Sequence, residues 1–159
     1  MNPATNFVPT IASALSMAAS ATVFDDLDID QFEDQFSADL VLTNPATGTP
    51  TKATITIVGP EHPARKKIQF DRARRQRAEF AKKGKLDVRD PLEDLEEQTD
   101  FMVACTVGWS GLKAGGTPLP FSGDAARTLY NDPKRQWLRA QVFKGLDEAE
   151  RFISSSTKA

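Results

Sequence analysis

The chain has one cysteine and one histidine in 159 residues, and each scarcity narrows the chemistry open to it. Cys105 alone leaves no intramolecular disulfide framework and no multi-cysteine zinc or iron–sulfur set. His62 alone excludes a multi-histidine metal centre and leaves few routes to histidine base catalysis. No run reaches the roughly 18–20 apolar residues that a membrane-spanning helix needs. The stretch Met1–Phe24 lacks charge, and Ala18-Ala19-Ser20-Ala21 has the small residues of a signal-peptidase site. No Lys or Arg precedes its apolar part, however, and Pro9 interrupts it, so a secretory leader is not expected and a cytoplasmic location is.

What is present is the composition of an ordinary soluble globular chain, 40% apolar and 26% charged, long enough for one domain with a real core. The net charge of −2 conceals strong segregation. Thr22 to Asp39 holds seven acidic residues and no basic one; Glu61 to Lys85 holds ten basic against three acidic; Leu86 to Asp100 holds seven acidic and one basic. Such blocks either pair with one another and line solvated faces, or one of them meets a partner of opposite sign.

Alternation of Leu40 and Leu42 with Asp39 and Val41 predicts a strand over Ser37–Thr43, and Ile55 and Ile57 among threonines predict another over Lys52–Val58. The turn-rich residues 44–51 join them as a long-looped hairpin, which Gly59-Pro60 ends. Ala64–Lys83, free of Gly and Pro, predicts a mostly charged helix that leans on its neighbours through one thin stripe of Ile68, Phe70, Ala73, Ala78 and Phe80, with Gly84 as C-cap. Asp90-Pro91 opens a second helix with Leu92, Leu95, Thr99, Met102, Val103 and Thr106 on one face. Its apolar second half, Phe101–Trp109, reads as the central core helix, and the glycines from Gly108 to Gly116 as a flexible connector. A third helix is expected from Ser122 or Gly123 to Asn131, and a fourth from Pro133 to about Ser154 with Leu138, Val142, Gly145/Leu146, Ala149 and Phe152/Ile153 on one face. The class is α+β: an N-terminal β-hairpin region followed by a mainly helical C-terminal half. Residues 1–36 form an acidic leader, 37–153 the single domain, and 154–159 a frayed tail.

No catalytic constellation emerges. The carboxylates of Asp25–Asp34 and Glu93–Asp100 lie in polar surroundings that would not raise the pKa of a general acid. Asp25 to Asp30 lacks the glycine and terminal glutamate of a calcium loop. Cys105, inside the most apolar stretch, reads as a small buried hydrophobe, and His62 as the polar end of a turn. Gly108–Gly116 lacks the Lys-Ser/Thr ending of a P-loop. The chain therefore reads as non-enzymatic, without cofactor or metal. The basic segment could neutralise phosphates, but acidic blocks stand on both sides of it and no nucleic-acid module surrounds it, so nucleic-acid binding is the third-ranked reading. The aromatics Trp109, Phe121, Tyr130, Trp137, Phe143 and Phe152 crowd the last third; most serve a core, and an excess would suit an apolar groove.

The run Phe101-Met102-Val103-Ala104-Cys105-Thr106-Val107-Gly108-Trp109, the spacer to Gly116-Thr117-Pro118-Leu119-Pro120-Phe121-Ser122, the short helix with Ala125, Ala126, Leu129 and Tyr130, and the proline-started helix with Pro133, Trp137, Leu138 and Val142 resemble the tail assembly chaperones of long-tailed bacteriophages. In that family a helix ends in a tryptophan and a short loop leads to a Leu-Pro-Phe-Ser-like turn. The resemblance spans roughly Ser37 to Ile153 and is specific over Phe101 to Val142. It implies a non-enzymatic protein of the host cytoplasm that coats the tape measure protein, keeps it soluble, and helps recruit tail tube subunits, with a homo-oligomer compatible and no membrane partner. Shielding a long protein with exposed apolar stretches calls for an apolar groove with a charged rim. Met102, Trp109, Leu119, Phe121, Tyr130 and Trp137 are the candidate groove residues, and Arg65, Arg72 and Arg75 the candidate basic rim. The alternative is a structural virion protein, a minor capsid or tail component.

Overall fold

A computed structural model describes residues 27–85 and 87–155, and the expectations for Met1–Phe24 and for residues 156–159 lie outside the described residues. The fold is α+β. Its centre is a three-stranded antiparallel sheet of β2 (Ser37–Thr43), β3 (Pro50–Val58) and β4 (Thr106–Ser110), in the order β2-β3-β4. Leu40 pairs with Ile55 and Ala38 with Ile57, so the period-2 alternation puts Leu40, Leu42, Ile55 and Ile57 on one buried face. The six residues between the strands close as a turn in which Gly48 N–H donates to the Asn44 carbonyl at 2.7 Å and Ala46 N–H to the Asn44 side chain.

Helix α1 (Pro63–Lys83) starts where His62 Nδ1 accepts from Ala64 N–H and stops at Gly84, whose φ of 68° suits the left-handed cap. Asp90 caps α2 (Pro91–Ala104) by accepting from Leu92 N–H. Ser122 caps α3 (Gly123–Asn131), and α4 (Gln136–Asp147) follows a 3₁₀ turn over Pro133–Arg135. Helix α4 lies against β2 and β3, and Gly145 permits that approach: a Cβ there would sit 3.0 Å from the Leu40 methyls. Met102, Tyr130, Leu138, Val142, Leu146 and Phe152 complete one core with the sheet residues.

Three expectations are corrected. The core helix does not run to Trp109: α2 ends at Ala104, Cys105 caps it, and residues 106–110 extend as β4, pairing Trp109 with Ile55 and Thr106 with Ile57. An all-apolar run carries no periodicity to separate helix from strand, and pairing satisfies the second edge of β3 with β-branched Thr106 and Val107. The supposed connector is instead β4 followed by a tight hairpin of β5 (Lys113–Ala114) and β6 (Thr117–Pro118). Gly115 and Gly116, at φ of 60° and 80°, form its two-residue loop, a turn that requires positive φ at both positions. The fourth helix is shorter than expected at both ends: Pro133–Arg135 is a 3₁₀ turn and α4 starts at Gln136, it stops at Asp147, a 3₁₀ turn follows at Ala149–Phe152, and Ile153–Ser155 is a strand, β7.

That strand pairs with β1 (Phe32–Asp34), so the end of the acidic leader and the start of the expected tail form a small sheet of their own. Gln35 N–H donates to the Phe152 carbonyl at 2.6 Å and Gly59 N–H to the Phe36 carbonyl at 2.9 Å. Gly59 sits so close that a Cβ would lie 2.9 Å from the Gln35 carbonyl and from the Phe152 ring.

A candidate partner-binding cleft

The indole of Trp109 organises the region that carries the resemblance. Its Nε1–H donates to the Leu119 carbonyl at 2.7 Å, and Phe121 meets the ring edge-on at 4.9 Å between centroids. Leu119 N–H donates to the Leu112 carbonyl at 2.9 Å, tying the segment after β6 to the residue before β5. The hairpin is thereby held over α3 and the start of α4, leaving an open cleft of about 370 Å³. Leu112, Ala114, Leu119, Leu129, Trp137 and Leu138 make its apolar lining, with Lys113 and Arg135 at its margin. Trp137 is 40% exposed and also borders a second depression beside Leu42, Pro45 and Leu112. An indole half in water between two hollows is an anchor shape for an apolar side chain of a partner.

The nine candidate residues divide. Trp109, Leu119, Phe121 and Trp137 come together around the hairpin, Leu119 and Trp137 lining the cleft itself. Met102 and Tyr130 have no exposed surface and belong to the core, which corrects their assignment to a groove. Helix α3 turns Tyr130 inward, where its hydroxyl bonds Thr106 at 2.8 Å and burial pushes its pKa up to about 12.

The basic rim is corrected as well, because Arg65, Arg72 and Arg75 project from α1 towards α2 and α4 rather than onto this cleft. Arg65 is buried: its guanidinium donates to the carbonyls of Val58 and Leu146 at 3.3 and 2.9 Å and stacks 5.4 Å from the Phe101 ring centroid. Arg72 and Arg75 reach Glu97 at 3.7 and 3.1 Å, and Arg89 pairs with the same carboxylate. A larger cleft of about 420 Å³ between α1, α2 and α4 is lined by Arg65, Arg72, Asp94, Glu97, Phe101 and Phe143, but its Glu97 is already shared among arginines of this chain.

Other side chains of interest prove structural. Cys105 is buried, and desolvation raises its thiol to about 11, so it stays protonated near neutral pH. Arg139 is a structural centre that the sequence pattern does not mark. Its buried guanidinium donates to Gln98 Oε1 at 2.6 Å, to the Thr99 hydroxyl at 2.8 Å, and to the Tyr130 and Leu95 carbonyls at 3.3 and 3.4 Å. It joins α2, α3 and α4. The only sequence signal is an arginine directly after Leu138, on the apolar face of its helix.

Among the described residues no helix is long and apolar enough to cross a membrane, and no three His, Cys, Asp or Glu side chains gather as a metal site would need. Comparison with protein-family models, with curated proteins and with solved structures finds no match for this chain.

Proposed function

We propose that this protein is a tail assembly chaperone of a long-tailed bacteriophage, a non-enzymatic protein of the host cytoplasm that binds apolar segments of the tape measure protein and helps recruit tail tube subunits. The observation that carries the reading is the open apolar cleft around Trp137: it is built from Leu119 and Trp137, residues of the motifs on which the resemblance rests. Its size suits one or two apolar side chains of a helical segment, and its lining is pre-formed by the Trp109–Leu119 hydrogen bond. One expected family feature is absent: α2 ends at Ala104 and Trp109 lies in β4, so the tryptophan does not end a helix.

Co-expression with the tape measure protein of the same phage tests the reading. The intact chain keeps the tape measure in the soluble fraction and co-purifies with it, whereas Trp137→Ser lowers the co-purified amount at least several-fold while remaining folded. A soluble fraction indifferent to the chaperone, or recovery of the chain in purified virions, moves the assignment to a structural virion component.

A further inference from the structure

The outer face of α1 departs from the thin packing stripe expected of it. Ile68 and Arg65 face inward, but Phe70 and Phe80 are 65% and 55% exposed. At 100° per residue Phe70, Arg74, Arg77 and Phe80 share the side of the helix opposite Ile68, with Lys67 beside them. A shallow depression lined by Ala73, Gln76, Arg77 and Phe80 lies on this side. The pairs that neutralise the basic block run elsewhere: Arg72 and Arg75 to Glu97, Lys83 to Glu79 and Asp87, Lys66 to Glu61. Among the described residues Lys67, Arg74 and Arg77 have no carboxylate within ion-pair distance. The two carboxylates of α1 itself are Glu79, on the inner side, and Asp71, half-buried at the flank.

A complementary surface exists on the same chain. Leu27 and Ile29 are 73% and 75% exposed, Phe32 and Phe36 are also exposed, and Asp28, Asp30, Glu33 and Asp34 stand between them, none paired with a cation among the described residues. Within one molecule the segment is tied by β1 to β7 and leaves these side chains in water. Ile29–Gln31 form a 3₁₀ turn capped by the Asp28 side chain, so these apolar and acidic side chains are presented from a short, compact segment.

From this charge and apolar complementarity we infer that the chain self-associates, the acidic residues 27–34 of one copy docking on the Phe70–Arg74–Arg77–Phe80 face of a second. Two copies exchanging leaders make both contacts at once and close as a symmetric dimer. The contact desolvates Leu27, Ile29 and Phe32 against two exposed phenylalanines and sets carboxylates against free guanidinium groups. A polyanion such as nucleic acid meets the cations but offers no aliphatic side chains for the depression beside Phe80. This inference does not depend on the tape measure reading.

Sedimentation velocity of the full chain, freed of nucleic acid, over a concentration and salt series tests it. The wild-type chain forms a dimer whose dissociation constant rises about tenfold or more between low and high salt, because the paired charges are screened. Arg74→Glu/Arg77→Glu and Asp30→Lys/Glu33→Lys are each monomeric, with unchanged circular dichroism since all four side chains are exposed and make no bond among the described residues. Mixing the two variants restores the dimer, as both contacts of the mixed pair are again complementary. A wild-type chain that stays monomeric to its solubility limit, association that nuclease abolishes, or variants that associate alone or fail to rescue each other overturns the inference.

Discussion

Arg139 concentrates much of what holds the three C-terminal helices together, since one guanidinium satisfies acceptors on α2 and α3 from its position on α4. Arg139→Ala strands buried carbonyl and hydroxyl groups and is expected to lower stability by about 1–3 kcal/mol, read from urea unfolding. Lysine at this position keeps the charge but not the fork, so Arg139→Lys recovers only part of the loss. Cys105 and Tyr130 lie nearby in the same core, and burial raises both, to about 11 and about 12. A raised folded pKa means that the native state holds its proton after the unfolded chain has released it. Their contribution is therefore complete below about pH 9 and falls as the pH climbs towards 12, at up to about 1.4 kcal/mol per pH unit per group. Cys105→Ala removes the thiol's share of that alkaline slope, and denaturation midpoints between pH 8 and 11 measure it. Cysteine burial is legible from its apolar neighbours in the sequence. The inward turn of Arg65 and Arg139 is not, because a guanidinium is read as solvent-seeking until carbonyls in other elements are known to face it.

At the scale of elements, caps and breakers speak through the local sequence. Asp90-Pro91, Ser122 and Gly84 each mark a helix end where the structure has one, because capping satisfies backbone groups within a few residues. The two-residue hairpin carries a local signal too, Gly115-Gly116 at a tight turn, but the surrounding glycines mask it and the stretch reads as a flexible connector. β4 was not readable, since its extended form depends on the free edge of β3, some fifty residues earlier in the chain. Gly59 belongs to the same class of non-local constraint. Gly59→Ala pushes a methyl into the Gln35 carbonyl and the Phe152 ring and is expected to cost about 1–3 kcal/mol. Faster amide exchange at Gln35 and at position 59, relative to the central sheet, would locate the damage at the junction of leader and core.

For the whole molecule, the two proposed surfaces are built from different elements. The Trp137 cleft uses the β5–β6 hairpin, α3 and α4, whereas the exposed cation–phenylalanine face belongs to α1 alone. The two functions should thus separate: Trp137→Ser leaves the sedimentation of the free chain unchanged, and Arg74→Glu/Arg77→Glu leaves tape measure solubilisation unchanged. Co-purification and sedimentation on both variants measure this independence directly. The charge blocks also resolve at this scale. The second acidic block partly neutralises the basic helix through Glu97 and Asp87, on its inner side only.

Local sequence was enough for the class, the hairpin of β2 and β3, the starts of the first three helices and the burial of Leu40, Leu42, Ile55, Ile57 and Cys105. These follow from periodicity, capping and transfer free energy, which act over a few residues and need no knowledge of the partner element. Tertiary structure alone decided that residues 106–110 are a strand, that Met102 and Tyr130 are core while Trp137 is open, and that α1 turns Phe70 and Phe80 to solvent. Each depends on which surface another part of the chain presents. An edge strand left unpaired, a carbonyl left unsatisfied or a helix side left uncovered is a property of the assembled fold.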